Sequence, residues 1–210
     1  MITEKSTIKN EAIYSEDKKQ RFIWQRVWDT KKPMACVIMI NPCQGEFMIL
    51  DTTSSIVVNN IIRLSDYGGV SIVNLFSLIT PKLNFRSMER LNDAHNDLYV
   101  RKAAEEASII ILAWGKSSNT NAKIYNRAKQ VLKLLEDQKD KFRIISDGQR
   151  EAIHPLTPTA RSFFNLVEAD NWLKESERFA NEREKKEQER IAELKSKLKD
   201  IETADDSSVE

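Results

Sequence analysis

Hydrophobic residues along this chain cluster in short continuous runs that are separated by longer segments of mixed polarity. The runs read ACVIMI, VSIVNLF, SIIILAW and FRIIS, and β-branched residues are frequent in them. Short runs of this composition are typical of strands that are buried on both faces of a sheet. The pattern therefore predicts four core strands.

The segments between these runs carry helical signals. Ile56, Ile61 and Leu64 fall at helical spacing after a Thr or Ser cap, and a Gly-Gly pair ends that segment. NDLYVRKAAEEA and the amphipathic NAKIYNRAKQVLKLLEDQ are two further helical segments. Helices supply the long crossovers that parallel strands need, so we predict a three-layer α/β/α fold with a central, mostly parallel four-stranded sheet.

An N-terminal β-hairpin is predicted in front of this sheet. Phe22, Trp24 and Arg26 alternate with Ile23 and Gln25, and the polar stretch SEDKK precedes them. Alternation with a period of two indicates strands, and the polar stretch indicates the turn between them.

The last part of the chain has a different composition. ESERFANEREKKEQERIAELKSKLKD consists mostly of helix formers of mixed charge, and TADDSSVE reads as a disordered end. A heptad-like seam contains only Ile191, Leu194, Leu198 and Ile201, which is short for a stable coiled coil. Residues 171–201 are therefore either a solvated helical extension or a helix for self-association or partner binding. We predict an α/β domain over residues 1–170 and a charged helical tail over 171–210.

Composition and charge exclude some classes of protein. The chain is 40% hydrophobic and 31% charged, and its formal net charge of +1 excludes a strongly polycationic nucleic-acid binder but not a local basic patch. Cys36 and Cys43 form no CxxC pair, so we predict neither a metal nor a cofactor. We expect a cytoplasmic protein without a membrane partner, because no signal-peptide core or membrane-length apolar run is present.

Polar or aromatic residues follow each of the four predicted strands, where α/β sheets bind their ligands. They are Asn41-Pro42, Asn74, Trp114-Gly115 and the loop that carries His154. Asn74 interrupts an apolar strand, and a buried amide requires a partner. That partner is either neighbouring backbone or a ligand with both a donor and an acceptor, such as a nucleobase edge.

Each of these residues also has a purely structural explanation. Asn41 before a proline is a common turn former, and Trp114 fits a core position. His154 taken alone is more often structural than catalytic, and His95 reads as a surface or capping residue. Because the strand ends meet at one edge of the sheet, the set together predicts a pocket.

Three segments resemble, in order, parts of the uracil-DNA glycosylase superfamily: VSIVNLFSLIT, SIIILAWGKSS and HPLTPTARSFFNLVEADNWL. MINPCQGE is similar to the first motif of that superfamily. The resemblance implies an enzyme that flips a nucleotide out of the stack and cuts the bond between base and deoxyribose, without a metal.

The resemblance also implies roles for single residues. Asn74 reads the base edge, with Phe47 as a stacking wall and Trp114 in the base site. His154 donates a hydrogen bond to the base carbonyl, and Asn41 holds the attacking water. The loop that contacts DNA contributes Pro155, Leu156, Arg161 and Ser162.

The chain departs from the superfamily pattern at the water-activating position. Asn41 stands where the most active glycosylases have an Asp, and an amide cannot take a proton. Asp51 is either a substitute base or the cap of a helix that starts near Thr53. Arg26 on the hairpin either points into the pocket or is solvated on an edge strand.

A second resemblance, over roughly residues 20–160, is to a bacterial and phage family known as domain of unknown function 1643; it implies no activity. The residues that match include Arg26, Trp28, Asn41-Pro42, Asp51, Thr53, Tyr67-Gly68, Asn74-Leu75-Phe76, Asn96-Asp97, Trp114-Gly115 and His154-Pro155-Leu156.

Three functions are compatible with the sequence. The first is a DNA glycosylase-like protein that recognises a flipped or free nucleobase and hydrolyses its N-glycosidic bond, which His154 and Asn74 favour. The second is a non-catalytic nucleobase, nucleotide or DNA-binding module of the same fold, which Asn41 favours. The third is an adaptor that acts through the charged tail.

Overall fold

The computed structural model describes residues 1–43 and 47–206, and it divides the chain into two compact units, Met1–Trp172 and Leu173–Glu210. The first unit contains one sheet of seven strands in the spatial order β1-β2-β4-β3-β5-β6-β7. The strands are β1 (Lys9–Tyr14), β2 (Arg21–Val27), β3 (Met34–Met39), β4 (Gly69–Asn74), β5 (Ala107–Leu112), β6 (Phe142–Ser146) and β7 (Asn165–Glu168). The helices are α1 (Thr52–Leu64), α2 (Met88–Leu91), α3 (Asn96–Glu106), α4 (Ser117–Thr120), α5 (Ala122–Leu134), α6 (Pro158–Ser162) and α7 (Asp170–Asp206), with a 3₁₀ helix at Glu136–Lys141.

The predicted α/β class is confirmed, but the predicted four-stranded, mostly parallel sheet is wrong. The four hydrophobic runs form β3, β4, β5 and β6, which are parallel to one another. The N-terminal hairpin extends the same sheet, because β2 pairs antiparallel with β4. At the other edge β7 pairs antiparallel with β6, so the complete sheet is mixed.

Helices cover both faces of the sheet. α1 connects β3 to β4 and packs on one face together with α6, while α3 and α5 contact each other and α3 crosses the central strands. The crossover from β3 leads to β4 on one side and the next crossover leads back past β3 to β5. Right-handed crossovers in opposite directions place their helices on opposite faces, so α1 and α3 lie on different sides of the sheet.

A hydrophobic cluster under α1 forms the core of this face. Val57, Val58 and Ile61 of α1 pack against alternate residues of the central strands, including Val37 and Ile111. Because successive side chains on a strand point to opposite faces, the residues between them face α3. The burial of both sets explains why these strands read as continuous apolar runs.

The hairpin contains an irregularity that its sequence does not reveal. Ile13 pairs with Ile23, but Tyr14 pairs with Arg21, so Phe22 is an extra residue in β2. The ring of Phe22 stacks on Tyr99 of α3, whereas Trp24 belongs to the core under α1. The bulge therefore returns Arg21 to the α1 face of the sheet.

The second unit consists of the long helix α7 after Trp172. Its exposed surface carries ion pairs one turn apart, Arg178–Glu182 and Lys185–Glu189, and Ile191 and Leu194 of the predicted seam are exposed. The helix extends to Asp206 and residues 207–210 lie outside the described chain, so the disordered end stays a prediction. No helix in the described ranges has the length and apolar character of a membrane span.

Candidate functional site

The polar residues predicted from the sequence lie where the parallel strands end. β3 is flanked by β4 on one side and β5 on the other, and the crossovers leave β3 in opposite directions. Strand ends at such a switch point diverge and open a crevice, which is where open α/β sheets bind ligands. We use the term edge site for the carboxyl ends of β3, β4 and β5 on the α1 face.

Asn74, the last residue of β4, has a side chain that points to the α1 face. Its neighbour in the sheet is Met39, which belongs to the core under α1, and adjacent residues of parallel strands point the same way. The Asn74 side chain is buried, with the residue 1% exposed, and neither Nδ2 nor Oδ1 has a hydrogen-bond partner in the described chain. A buried amide without partners is costly, so these two atoms call for a donor and an acceptor that the described residues do not supply.

The backbone at Asn74 is held from the opposite face. Nδ2 of Asn96 in α3 donates to the carbonyl oxygen of Asn74 at 3.0 Å, and Nε of Arg127 in α5 donates to the carbonyl oxygen of Leu75 at 2.7 Å. Arg127 is itself paired with Asp97. These bonds fix the end of β4 and so orient the Asn74 side chain.

Arg21 is a component of the edge that sequence reasoning missed. It begins β2, and its N–H donates to the carbonyl oxygen of Ser77, just beyond β4, at 2.8 Å. The residue is 7% exposed, and its guanidinium makes no hydrogen bond with the described residues. The only sequence signal was its position at the start of a hairpin strand, which does not distinguish it from Arg26.

The surroundings of Arg21 are partly acidic. Burial lowers the pKa of the Arg21 guanidinium, while Tyr14, Asp51 and Cys43 act in the opposite direction. Burial has the largest effect on the Cys43 thiol and raises its pKa. Asp51 also raises this pKa, whereas Arg21 lowers it. Arg21, Cys43 and Asp51 therefore interact electrostatically beside the N-terminus of α1.

Asp51 has the structural role that was the alternative to a catalytic one. Its Oδ1 accepts hydrogen bonds from the N–H groups of Thr53 and Ser54, and its Oδ2 accepts one from the Ser54 hydroxyl at 2.7 Å. This is an N-cap for α1, and it occupies both carboxylate oxygens.

Asn41 ties together the loops that follow β3 and β4. Its Nδ2 donates to the carbonyl oxygen of Thr80 at 2.7 Å and to that of Pro42 at 3.2 Å. The amide nitrogen thus has the turn-forming role considered above. Oδ1 accepts no hydrogen bond from the described residues and is available to a water or ligand.

His154 lies directly against the end of β5. Gly115 follows that strand with φ of +60°, and a Cβ atom at Gly115 would lie 3.3 Å from the backbone nitrogen of His154. The loop is fastened to the α1 face through Ile153 and Ala160, both in the core under α1. The loop of His154 therefore lies at the edge where β5 ends, and its residues Ile153 and Ala160 pack on the α1 face, to which Asn74 also points.

The imidazole of His154 is held in one tautomer. The N–H of Leu156 donates to Nδ1 at 3.1 Å, so the proton of the neutral ring resides on Nε2. Partial burial lowers the pKa of His154, which keeps the ring neutral at neutral pH. A neutral ring with Nε2–H is a hydrogen-bond donor that carries no net charge.

Phe47 and Trp114 occupy different environments. Phe47 is 40% exposed, and its carbonyl oxygen accepts a hydrogen bond from Nε1 of Trp24 at 3.2 Å. Trp114 is 1% exposed and packs against Trp172, with ring centroids 5.8 Å apart. Trp114 thus occupies the core position considered above, although its Nε1 has no partner in the described chain.

The predicted DNA-contact loop divides into buried and exposed parts. Pro155 is buried and Leu156 half-buried, whereas Arg161 and Ser162 are exposed. Nε of Arg161 donates to the carbonyl oxygen of Leu156 at 2.9 Å, and Arg63 of α1 donates to that of Ser162 at 2.7 Å. Two arginines therefore lie beside this loop.

Two other residues considered from the sequence lie elsewhere. Nε of Arg26 donates to Asn10 at 2.7 Å, and its guanidinium lies 5.1 Å from the Trp24 ring centroid. His95 is largely exposed, and its Nδ1 lies 2.8 Å from Asp93 in an open cleft of about 570 Å³ that also includes Tyr14 and Tyr99. Across the described residues, no three His, Cys, Asp or Glu side chains are grouped closely enough to hold a metal.

Comparison with known proteins gives one family. A family model described as "Protein of unknown function (DUF1643)" matches residues 21–156, which is more than half of the chain. Neither the curated proteins nor the solved structures give a match. The second resemblance noted in the sequence is thereby confirmed, and the likeness to uracil-DNA glycosylases stays a prediction.

Proposed function

The chain belongs to the DUF1643 family, and we propose that it recognises a nucleobase at the edge site through Asn74. The observation that carries this proposal is the buried amide of Asn74, whose donor and acceptor both lack partners in the described chain. A side-chain amide forms two parallel hydrogen bonds with a base edge that presents one donor and one acceptor. A ligand of that kind satisfies both atoms at once.

The position of His154 supports the same ligand. Its loop packs against Gly115 at the switch point of the sheet, and Nε2–H is a donor suited to a carbonyl oxygen of a base. A nucleobase has a carbonyl oxygen that needs a donor and an adjacent edge that pairs with an amide. His154 and Asn74 offer these two groups.

Binding of free bases and nucleosides tests this proposal. We expect saturable binding by calorimetry for at least one base, and at least a tenfold loss of affinity in Asn74→Ala, because a bidentate contact contributes about 1–3 kcal/mol. Asn59→Ala, an exposed asparagine on α1, is the matched control and should bind as wild type does. The proposal is wrong if no base or nucleoside binds, or if Asn74→Ala binds as tightly as wild type.

The described residues favour recognition without hydrolysis. Both oxygens of Asp51 are engaged in capping α1, and Asn41 cannot accept a proton, so neither is placed as a free base to activate water. Hydrolysis of an N-glycosidic bond, as in the glycosylases that the sequence resembles, is the second candidate. The neutral His154 donor favours it, because such a donor stabilises charge on a departing base.

An abasic-site assay separates these two candidates. DNA duplexes with uracil, hypoxanthine or a modified cytosine are incubated with the protein, treated with alkali and resolved on a gel. Strand cleavage with wild type that His154→Ala reduces at least a hundredfold would establish hydrolysis. Binding with no cleavage of any duplex would leave recognition alone.

A further inference from the structure

The buried guanidinium of Arg21 is not explained by recognition of an uncharged base. Nε and Nη2 are buried and have no hydrogen-bond partner among the described residues, and no carboxylate of those residues lies within 4.0 Å of the group. A buried cation that lacks a counter-ion destabilises the ligand-free fold. Such a group suggests that the missing partner is an anion supplied from outside.

Arg21 lies beside the segment that follows β4, where its N–H donates to the carbonyl oxygen of Ser77, three residues after Asn74. Trp24 of β2 pairs with Ile72 of β4, so the following residues of β4 run alongside the beginning of β2. The bulge at Phe22 and the electrostatic interaction with Asp51 both place the Arg21 side chain on the α1 face. Asn74 points to that same face from the neighbouring strand.

Three titratable groups interact electrostatically with Arg21. They are Tyr14 on β1, Asp51 at the start of α1, and Cys43 after β3. Within residues 1–43 and 47–206, Asp51 is the only carboxylate among these groups, and its oxygens already accept hydrogen bonds from the first turn of α1. The forked guanidinium is suited to bidentate contacts with phosphate or carboxylate oxygens.

We propose that Arg21 binds the phosphate of a nucleoside monophosphate whose base is recognised by Asn74. The choice of phosphate rests on the proposed function, since a nucleotide is the ligand that combines a base with an anion. A terminal phosphate enters a buried site end-on. A phosphodiester within a strand is flanked by two sugars, and a residue that is 7% exposed does not accommodate both.

The test compares ligands that differ only in the phosphate. Wild type is titrated by calorimetry with nucleosides, with their 5′-monophosphates, with inorganic phosphate, and with a short single-stranded oligonucleotide that lacks terminal phosphates. We expect the monophosphate to bind at least tenfold more tightly than its nucleoside. A ratio near one, or binding of the oligonucleotide without binding of the monophosphate, overturns the assignment.

Variants identify Arg21 as the source of this ratio. Arg21→Met should reduce the ratio to about one, while Asn74→Ala should weaken nucleoside and monophosphate by the same factor. Arg26→Met, in the same strand, is the control and should retain the ratio. An unchanged ratio in Arg21→Met overturns the proposal.

Should Arg21→Met fail to fold, Arg21→Lys decides, because lysine keeps the charge but not the bidentate geometry. We expect a reduced ratio in Arg21→Lys, and an unchanged ratio overturns the assignment. Nucleosides that bind without preference for the phosphate contradict the role of Arg21 and leave base recognition standing. Inorganic phosphate that raises the Tm of wild type but not of Arg21→Met, with no base bound, supports the anion site and contradicts base recognition.

Discussion

Arg21 and Arg127 are equally buried, each 7% exposed, yet their surroundings differ completely. On the α3 face, Arg127 donates to the Leu75 carbonyl and pairs with Asp97. On the α1 face, Arg21 makes no side-chain hydrogen bond with the described residues. Both lie beside the end of β4. The difference separates a polar group that stabilises the fold from one that the described residues leave unpaired, and this contrast is the basis of the proposed anion site.

The two asparagines at this point show the same contrast. Asn96 uses its Nδ2 to hold the carbonyl groups of Asn74 and Leu75, although its Oδ1 is unpaired in the described chain. Asn74 uses neither of its amide atoms. Buried polar groups are nearly always hydrogen-bonded, so an amide with neither atom paired, such as that of Asn74, requires a specific explanation.

Removing Arg127 should have the largest effect on stability. Arg127→Met leaves the Leu75 carbonyl without its donor and Asp97 without its cation, so we expect the free energy of unfolding to fall by about 3 kcal/mol. Urea denaturation measures this change. Lys129→Met, exposed on the same helix, is the control and should change stability by less than about 0.5 kcal/mol. A loss below about 1 kcal/mol for Arg127→Met would contradict its structural role.

Removing Arg21 should change stability in the opposite direction. Arg21→Met replaces an unpaired buried cation by an apolar side chain of similar length, so the ligand-free protein should gain about 2 kcal/mol in free energy of unfolding. The same denaturation experiment measures it. If Arg21→Met were as destabilising as Arg127→Met, the two arginines would both be structural and the contrast would be lost.

Two buried asparagines provide the next comparison, since Asn74 and Asn60 are each 1% exposed. Asn74→Leu removes an unpaired amide and should stabilise the ligand-free protein by about 1 kcal/mol. In Asn60→Leu the Phe164 N–H loses its acceptor, so that variant should be destabilised by about 1 kcal/mol. Changes of the same sign in thermal unfolding would show that Asn74 is paired in solution.

The smallest effect concerns pH. Burial sets the pKa of His154 below 6.5, its value in the unfolded chain. At a pH between those two values the unfolded chain binds more protons than the folded protein does. The contribution of His154 to the free energy of unfolding is therefore fully present above about pH 6.5 and is lost as pH falls through the lower pKa of the folded protein. His154→Gln should flatten this decline in urea midpoints between about pH 7.5 and pH 5. An equally steep decline in the variant would assign it to other groups.

The core of the fold could be predicted from the sequence because each core strand is a short hydrophobic run. The runs in β3 to β6 are mostly apolar, and the helix α1 begins at Thr52 with Asp51 as its N-cap, which was one of the two roles considered for that residue. β7 was missed because its four residues, NLVE, have no distinctive pattern. Pairing with β6 makes it a strand, and that is a tertiary effect.

The site was predictable only in part. Asn74 could be found because an amide inside an apolar run is conspicuous. Arg21 could not be found in the same way. Strict alternation along RFIWQRV places Phe22 and Trp24 on one face of the sheet and Arg21 on the other. The bulge puts Phe22 and Trp24 on opposite faces and returns Arg21 to the face of Trp24. An extra residue in a strand depends on its partner strand and leaves no local mark.

The glycine after β5 also constrains the loop that carries His154. At Gly115 the histidine loop rests on bare backbone, with space for a hydrogen atom but not for an unstrained methyl group. The height of the loop above the sheet is therefore set by main-chain packing, which side-chain rearrangement cannot adjust. Any side chain at position 115 would meet the backbone of the His154 loop, so the placement of that loop depends on the absence of a side chain there.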